Sequence, residues 1–234
     1  MVLGDIKIEL VQKSIKNVHL SVLPPYGNVR ISAPLHLSKE TIRLYAISKL
    51  SWIKDQQKKI QGQERESKRE FVNKETHYFQ GRKYLLRIFE RAEPPKVILN
   101  NKYLDLYVRP DTPTITRQHI LNQWYRNEMK NLIPSYINKW EKVIPVKVQD
   151  FGIKQMRTKW GTCNIEARRI WLNLELAKKP LQCLEYILVH EMVHLLERRH
   201  NDRFMAYLNK YLPQWKDRRD LLNRLPISHL DWGY

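Results

Sequence analysis

Residues 180–201 read PLQCLEYILVHEMVHLLERRHN. Proline suits a helix start, and the apolar residues that follow recur at helical spacing, so one helix is expected from Pro180 to about Arg199. Turning about 100° per residue from His190 puts His194 near 40° and Glu191 near 100°, while Leu184, Leu188, Val189, Met192, Leu195 and Leu196 gather between roughly 120° and 260°. The helix therefore has a packing face and an opposite face carrying His190, Glu191 and His194. Glu185 falls inside the apolar sector and breaks that pattern.

The arrangement His-Glu-Met-Val-His is H-E-x-x-H. Histidines at i and i+4 stand one turn apart, so two imidazoles can bind one zinc ion, with the glutamate beside them to activate the metal's water. At this chain's His and Glu content such a motif arises by accident about once in 60 chains, so it is read as chemistry. A zinc hydrolase needs three protein ligands and one open position. No Glu follows Glu197, which excludes a downstream glutamate ligand and leaves His200, six residues past His194, as the third. That interval matches the longer H-E-x-x-H-x-x-G-x-x-H pattern, but Glu197 occupies the glycine position, so the chain is expected to leave the helix in its own way.

Working outward, Val146 to Asp150 and Arg169 to Leu174 read as strands around RTKWGTCN, Arg157 to Asn164, and helices are expected over Asp202 to Tyr211 and Pro213 to Arg224. A long helix should start after Thr112 and Pro113 and run to about Lys142, broken or kinked at Pro134. The first third alternates in period two (Ile6, Ile8, Leu10; Val18, Leu20, Val22; Val29, Ile31) and reads as antiparallel strands, followed by one helix capped by Ser38. Strand signals return over Thr76 to Phe89, and Val97 to Val108 reads as a hairpin turning at Asn100 and Asn101. The expected organisation is α+β: a β-rich region with one helix over residues 1–110, then a compact catalytic domain over residues 111–234. Gln61 to Glu70 mixes charge signs and reads as a solvated linker.

The 234 residues carry 42 Lys and Arg against 24 Asp and Glu, a net +18, with 42% hydrophobic residues, enough for a packed core. No recurring period marks a repeat protein, no stretch is long and apolar enough to span a membrane, and Met1 to Leu20 builds no signal-peptide core, so a cytoplasmic protein is expected. Cys163 and Cys183 cannot make a disulfide framework and are expected as free thiols. The charge makes DNA or another polyanion a candidate partner, and Leu196 to Arg224 carries eight basic residues against four acids. Trp124, Tyr125, Trp140 and Trp215 lie among basic residues but suit core packing.

The series RTKWGTC, then IWLN (Ile170 to Asn173), HEMVHL (His190 to Leu195), His200 and Phe204 resembles the YgjP-like family of metal-dependent peptidases. RISAP (Arg30 to Pro34), WIK (Trp52 to Lys54) and YFQG (Tyr78 to Gly81) extend the likeness over nearly the whole chain, with Thr162, Asn164, Arg199 and Met205 departing from the usual residues. The resemblance implies a β-rich amino-terminal region leading into a zincin-like domain, one Zn2+ on His190, His194 and His200, and Glu191 as base. It also suggests a more distant kinship with SprT-like proteases, which act on DNA-bound proteins.

The expected activity is zinc-dependent peptide hydrolysis of a protein or peptide substrate, through a metal-bound water activated by Glu191. Tyr207, Lys159 and Trp160 are candidates for the donor that a developing oxyanion needs. The competing expectation is a nucleic-acid-associated module whose zinc site is structural or degenerate, with Cys163 as the conspicuous fourth donor.

Overall fold

Alternation in the first third produces a four-stranded sheet in the computed structural model, which describes residues 1–23, 26–62, 69–156 and 159–226. Strands β1 (Val2–Leu3), β2 (Ile6–Lys13), β3 (His19–Leu23) and β4 (Asn28–Pro34) lie in the order β1-β2-β4-β3. Ile6, Ile8, Val29 and Ile31 point inward and are buried. The expectation of antiparallel strands holds for β1–β2 and β3–β4, but β2 and β4 run parallel, with Ile8 opposite Val29. Alternation decides which side chains face the core and is silent on strand direction.

Ser38 caps the following helix by accepting from the Thr41 N–H at 3.1 Å. The expected single helix is two, α1 (Lys39–Ser48) and α2 (Leu50–Gln61), parted at Lys49. The break places Ile42 and Ala46 on one helix and Ile53 on the other, and all three are fully buried with the sheet residues. Residues 63–68, inside the expected linker, lie outside the described residues.

Strands β5 (Thr76–Phe79), β6 (Arg82–Glu90), β7 (Lys96–Asn100) and β8 (Tyr103–Val108) follow in the order β5-β6-β8-β7. This repeats the first sheet in order, direction and register. Leu86 opposite Leu104 corresponds to Ile8 opposite Val29, and Val97 opposite Leu106 to Leu20 opposite Ile31. The chain thus contains an internal structural repeat where no recurring sequence period was expected. Its two copies share only apolar inward positions, which any two-layer sheet requires.

Helix α3 (Thr114–Glu141) buries Leu121, Tyr125, Met129 and Ile133 and runs unbroken through Pro134. Pro134 and Lys130 are both exposed, so the Lys130 carbonyl left without a helix partner faces water. Tyr125, Trp140 and Trp215 are buried, as core packing requires. The core of the second sheet, α3 and the helices beyond is continuous, so the compact units of the described residues are 1–62 and 69–226. Strand and helix signals divide the sequence near residue 110, whereas shared burial keeps the second sheet with the helices that follow it.

The site itself rests on a three-stranded sheet, β9 (Asp150–Lys154), β10 (Gly161–Asn164) and β11 (Arg169–Asn173), in the order β10-β11-β9. The first of these was expected over residues 146–150. Val146 and Val148 do pack on the core, but the parallel ladder to β11 begins at Asp150. Next come a 3-10 turn at Leu174–Lys178, then α4 (Leu181–Val193), α5 (Asp202–Tyr211) and α6 (Trp215–Arg224).

Candidate metal centre

Helix α4 passes through the core with Cys183 to Val189 and Glu191 to Val193 all buried. Its start is anchored by the β5–β6 turn. Gln80 N–H donates to the Ala177 carbonyl at 2.8 Å and Gly81 N–H to that of Lys178 at 3.1 Å. Gly81 has φ +80, and an added Cβ would lie 2.7 Å from the Pro180 ring, so only glycine permits this approach. The YFQG segment therefore acts on the site by fixing where α4 begins.

The helix ends at Val193 and not near Arg199. Leu195 N–H bonds to the Met192 carbonyl and Leu196 N–H to that of Val193, a tightened last turn that redirects the chain. Glu197, standing where the longer motif has glycine, accepts from the Arg199 N–H through its carboxylate at 3.1 Å. That side-chain bond stabilises the reversal without a left-handed residue, and it brings His200 back beside α4. Asn201 then caps α5 by accepting from the Phe204 N–H at 3.0 Å.

The result is a triangle of imidazoles. Ring centres of His190 and His194 are 5.0 Å apart, of His194 and His200 4.7 Å, and of His190 and His200 5.0 Å. One nitrogen from each lies within 4.8 Å of the others. Phe204, fully buried, supports all three, its ring centre 4.7–4.9 Å from each imidazole.

The donors suit a cation. Burial, with the neighbouring His194 and His200, lowers His190 to about 3, and burial also lowers His194, so both offer lone pairs at neutral pH. His194 Nδ1 lies 3.1 Å from the Glu197 carbonyl oxygen, which requires a proton on Nδ1 and leaves Nε2 for a metal. The Nε2 atoms of His190 and His200 face each other at 3.0 Å, a spacing that a cation between them satisfies. Three imidazole nitrogen donors on one point fit zinc, and among the described residues the cluster contains no fourth donor.

Glu191 is 5% exposed. Burial raises its carboxyl to about 8, opposed by the charge of Lys159. The open side of the triangle is a groove lined by His190, Glu191, His194 and His200, and by Lys159, Trp160 and residues 161–163 of β10. An adjoining lobe adds Asn164, Glu166 and Trp171, and Arg198 lines both. Of the three candidate oxyanion donors, Lys159 and Trp160 line the groove. Tyr207 instead accepts from Arg203 at 3.2 Å and stacks on Tyr211.

Cys163 lines the groove, and burial, followed by the Glu191 charge, raises its thiol to about 11. Cys183 is buried, and both are free.

Two groups escaped the sequence reading. Asn173 is buried at the end of β11. Its Nδ2 donates to the carbonyls of Met156 at 2.9 Å and Lys159 at 2.8 Å, while its N–H donates to that of Trp160. It thus holds the loop that carries Lys159 and Trp160 to the groove. Arg157 and Thr158 of that loop lie outside the described residues. Gly161 is the second: a Cβ there would meet Glu191 Oε1 at 2.7 Å and Cγ at 2.8 Å. A lone Asn ending a strand and a Gly inside the signature were the available signals.

A buried helix with two histidines, a third imidazole folded back onto them, and an acid beside the cluster form a candidate metal centre. The YgjP-like family model, described as a metallopeptidase domain, matches residues 16–225, and the chain belongs to this metallopeptidase family. No curated protein matches it. Among solved structures, the metallopeptidase zymogen of Pyrococcus abyssi, abylysin, is similar at 17% identity and a TM-score of 0.36, covering 38% of this chain and 90% of that one. Among the described residues no helix is long and apolar enough to cross a membrane.

Proposed function

We propose that the chain is a zinc-dependent metallopeptidase in which His190, His194 and His200 hold one Zn2+ and Glu191 is the general base. The observation that carries this reading is the convergence of three imidazole nitrogens within 4.8 Å at a groove that also contains a buried glutamate. Bound zinc would supply a Lewis acid that lowers the pKa of water and polarises a carbonyl.

The chain's own groups supply the rest. Glu191 takes a proton from the attacking water and returns it to the leaving amine, a role that suits a carboxyl group lining the groove beside the three imidazoles. Lys159 and Trp160, which line the groove, are the candidates for contact with the polarised oxygen. Among the described residues strand β10 is a sheet edge along the groove, so the N–H and C=O groups it turns away from β11 can pair with an extended peptide. Every one of these residues follows residue 110, in keeping with a catalytic portion over residues 111–234.

A closed structural zinc site is disfavoured because Cys163 lies in the groove wall and, among the described residues, does not join the three-histidine cluster. Two free thiols support a reducing compartment, the cytoplasm. Protein or peptide is the proposed substrate, with DNA or another polyanion as a partner of the basic surface.

The test is metal analysis of the purified chain combined with hydrolysis of unfolded and DNA-bound proteins by wild type and Glu191→Gln. Glu191→Gln should keep the metal and lose about 100-fold or more of the activity. A metal-free wild type, or a Glu191→Gln protein with full activity, contradicts the reading.

A further inference from the structure

The second sheet has an outer face that takes no part in the metal centre. Tyr84, Leu86, Leu104, Leu106 and Val108 point inward and are buried. On the opposite face the register aligns three rows: Leu85, Tyr103 and Asn100; Arg87, Asp105 and Ile98; Phe89, Tyr107 and Lys96. Residues facing water on a one-sided sheet are ordinarily polar, yet here Tyr103, Leu85 and Ile98 are 37%, 39% and 40% exposed.

Cations are arranged on the rings. The Arg87 guanidinium lies 4.0 Å from the Tyr103 ring centre and 5.5 Å from that of Phe89. Arg91 and Lys96 each lie 5.1 Å from the Tyr107 ring centre. Phe89 and Tyr107 stack with centres 5.0 Å apart and planes 18° apart. Asp105 is buried beneath them and receives two hydrogen bonds from Arg87, at 2.6 and 2.7 Å, and another from Asn100. A buried acid thus fixes a guanidinium over a ring. Tyr103, the Arg87 guanidinium and the Phe89–Tyr107 pair follow one another along the strands in rows two residues apart.

We propose that this face binds single-stranded nucleic acid, with bases stacking on Tyr103 and on the Phe89–Tyr107 pair while Lys83, Arg91 and Lys96 meet the phosphates. Stacking is the interaction that any base can make with an aromatic ring, and basic residues around the rings complement a polyanion's backbone. A duplex hides its base faces and would use only the charge. The nearby acids are Glu90, 3.7 Å from Arg117, and Glu93, paired with Lys96 at 3.5 Å between exposed side chains, a contact that a phosphate can displace. The chain's net +18 draws such a ligand from a distance. In the basic segment Leu196 to Arg224, Arg218 is engaged by the buried Glu185.

The experiment is fluorescence anisotropy of the full chain with labelled oligo(dT) and oligo(U) of about 15 nucleotides and a duplex of equal length, from about 50 to about 200 mM salt. Single strands should bind more tightly than the duplex, and the stronger of the two distinguishes DNA from RNA. Tyr103→Ala combined with Tyr107→Ala should weaken binding about ten-fold or more. Arg91→Glu with Lys96→Glu, at exposed positions that leave the core intact, should do the same and reduce the salt dependence. Arg203→Glu with Lys210→Glu, and His190→Ala, should bind as wild type does. No binding, equal affinity for the duplex, or unchanged binding in both sheet-face variants overturns the proposal. So does a dimer of the chain that Tyr107→Glu disperses, since a second copy would then cover the face.

Discussion

Gly161 and Glu191 are matched in space: a single methyl group on Gly161 would stand 2.7 Å from the Glu191 carboxylate oxygen. The same methyl would press Ile187 Cγ2 at 2.9 Å, so neither neighbour can retreat freely in a packed interior. Strand β10 and α4 therefore set the position of the acid by contact. Gly161→Ala should shift Glu191, reduce peptide hydrolysis at least about ten-fold and destabilise the chain by about 1–3 kcal/mol. Metal content should remain that of wild type, because the three imidazoles do not touch Gly161 in this way. Full activity in Gly161→Ala would show that the acid's position is not limiting.

Phe204 provides a way to separate support from ligation. Replacing His190, His194 or His200 with alanine removes a donor, and each variant should lose most of its metal and the thermal stabilisation that the metal brings. Phe204→Ala keeps all three donors but opens a cavity beneath rings 4.7–4.9 Å away. That variant should lose about 3–5 kcal/mol of stability and bind metal more weakly than wild type, but more tightly than the ligand variants. Metal titration monitored by Tm checks the ranking, and Phe204→Ala with wild-type affinity would remove Phe204 from the support of the site.

Glu185, the acid in the apolar sector of α4, is resolved by its partners. Its carboxylate receives Lys139 at 2.6 Å, Trp140 Nε1 at 3.1 Å and Arg218 at 2.5 Å, which ties α3, α4 and α6 together. Burial pushes the carboxyl up, and the bonds from Lys139 and Arg218 reverse this, leaving it below the usual range. Arg218→Met should therefore cost more than Glu185→Leu, since the first leaves a buried charge short of a partner and the second removes that charge. Urea unfolding of the two variants makes the comparison, and the opposite order would mean that the network is a net stabiliser as a whole.

What sequence reveals here follows from how local each feature is. His190, Glu191 and His194 are set by one turn of helix, and His200 by elimination among few donors, so the candidate site was legible before any fold. The supporting roles of Phe204, Gly161 and Asn173 depend on juxtaposition between segments that no spacing rule links. Glu185 looked like a defect because a helical wheel cannot show Lys139 and Arg218 arriving from other helices. Alternation predicted the strands of both sheets, but not that β2–β4 and β6–β8 are parallel, nor that the two sheets repeat one topology. The early end of α4 was hidden because Leu195 and Leu196 continue the apolar spacing while their N–H groups have already turned to i−3 partners.

His77 gives the chain a predictable acid sensitivity. Its ring is 4% exposed, lies 5.4 Å from the Phe71 ring, and has Nε2 3.1 Å from the Glu75 carboxylate. Glu75 also receives the N–H groups of Glu70 at 3.0 Å and Phe71 at 2.7 Å. Burial lowers His77 to about 4, against the attraction of Glu75. The unfolded chain takes up this proton near pH 6.5 and the folded chain only near 4, so unfolding binds a proton throughout that window. The His77 contribution is therefore complete above about pH 6.5, declines as pH falls and levels off below about 4, by on the order of 3 kcal/mol at most. His190, also lowered, acts in the same direction when no metal is bound, so the measurement compares wild type with His77→Gln, both in chelator. Between pH 6.5 and 4 the variant should lose distinctly less stability than wild type, and parallel curves would assign the acid sensitivity to another group.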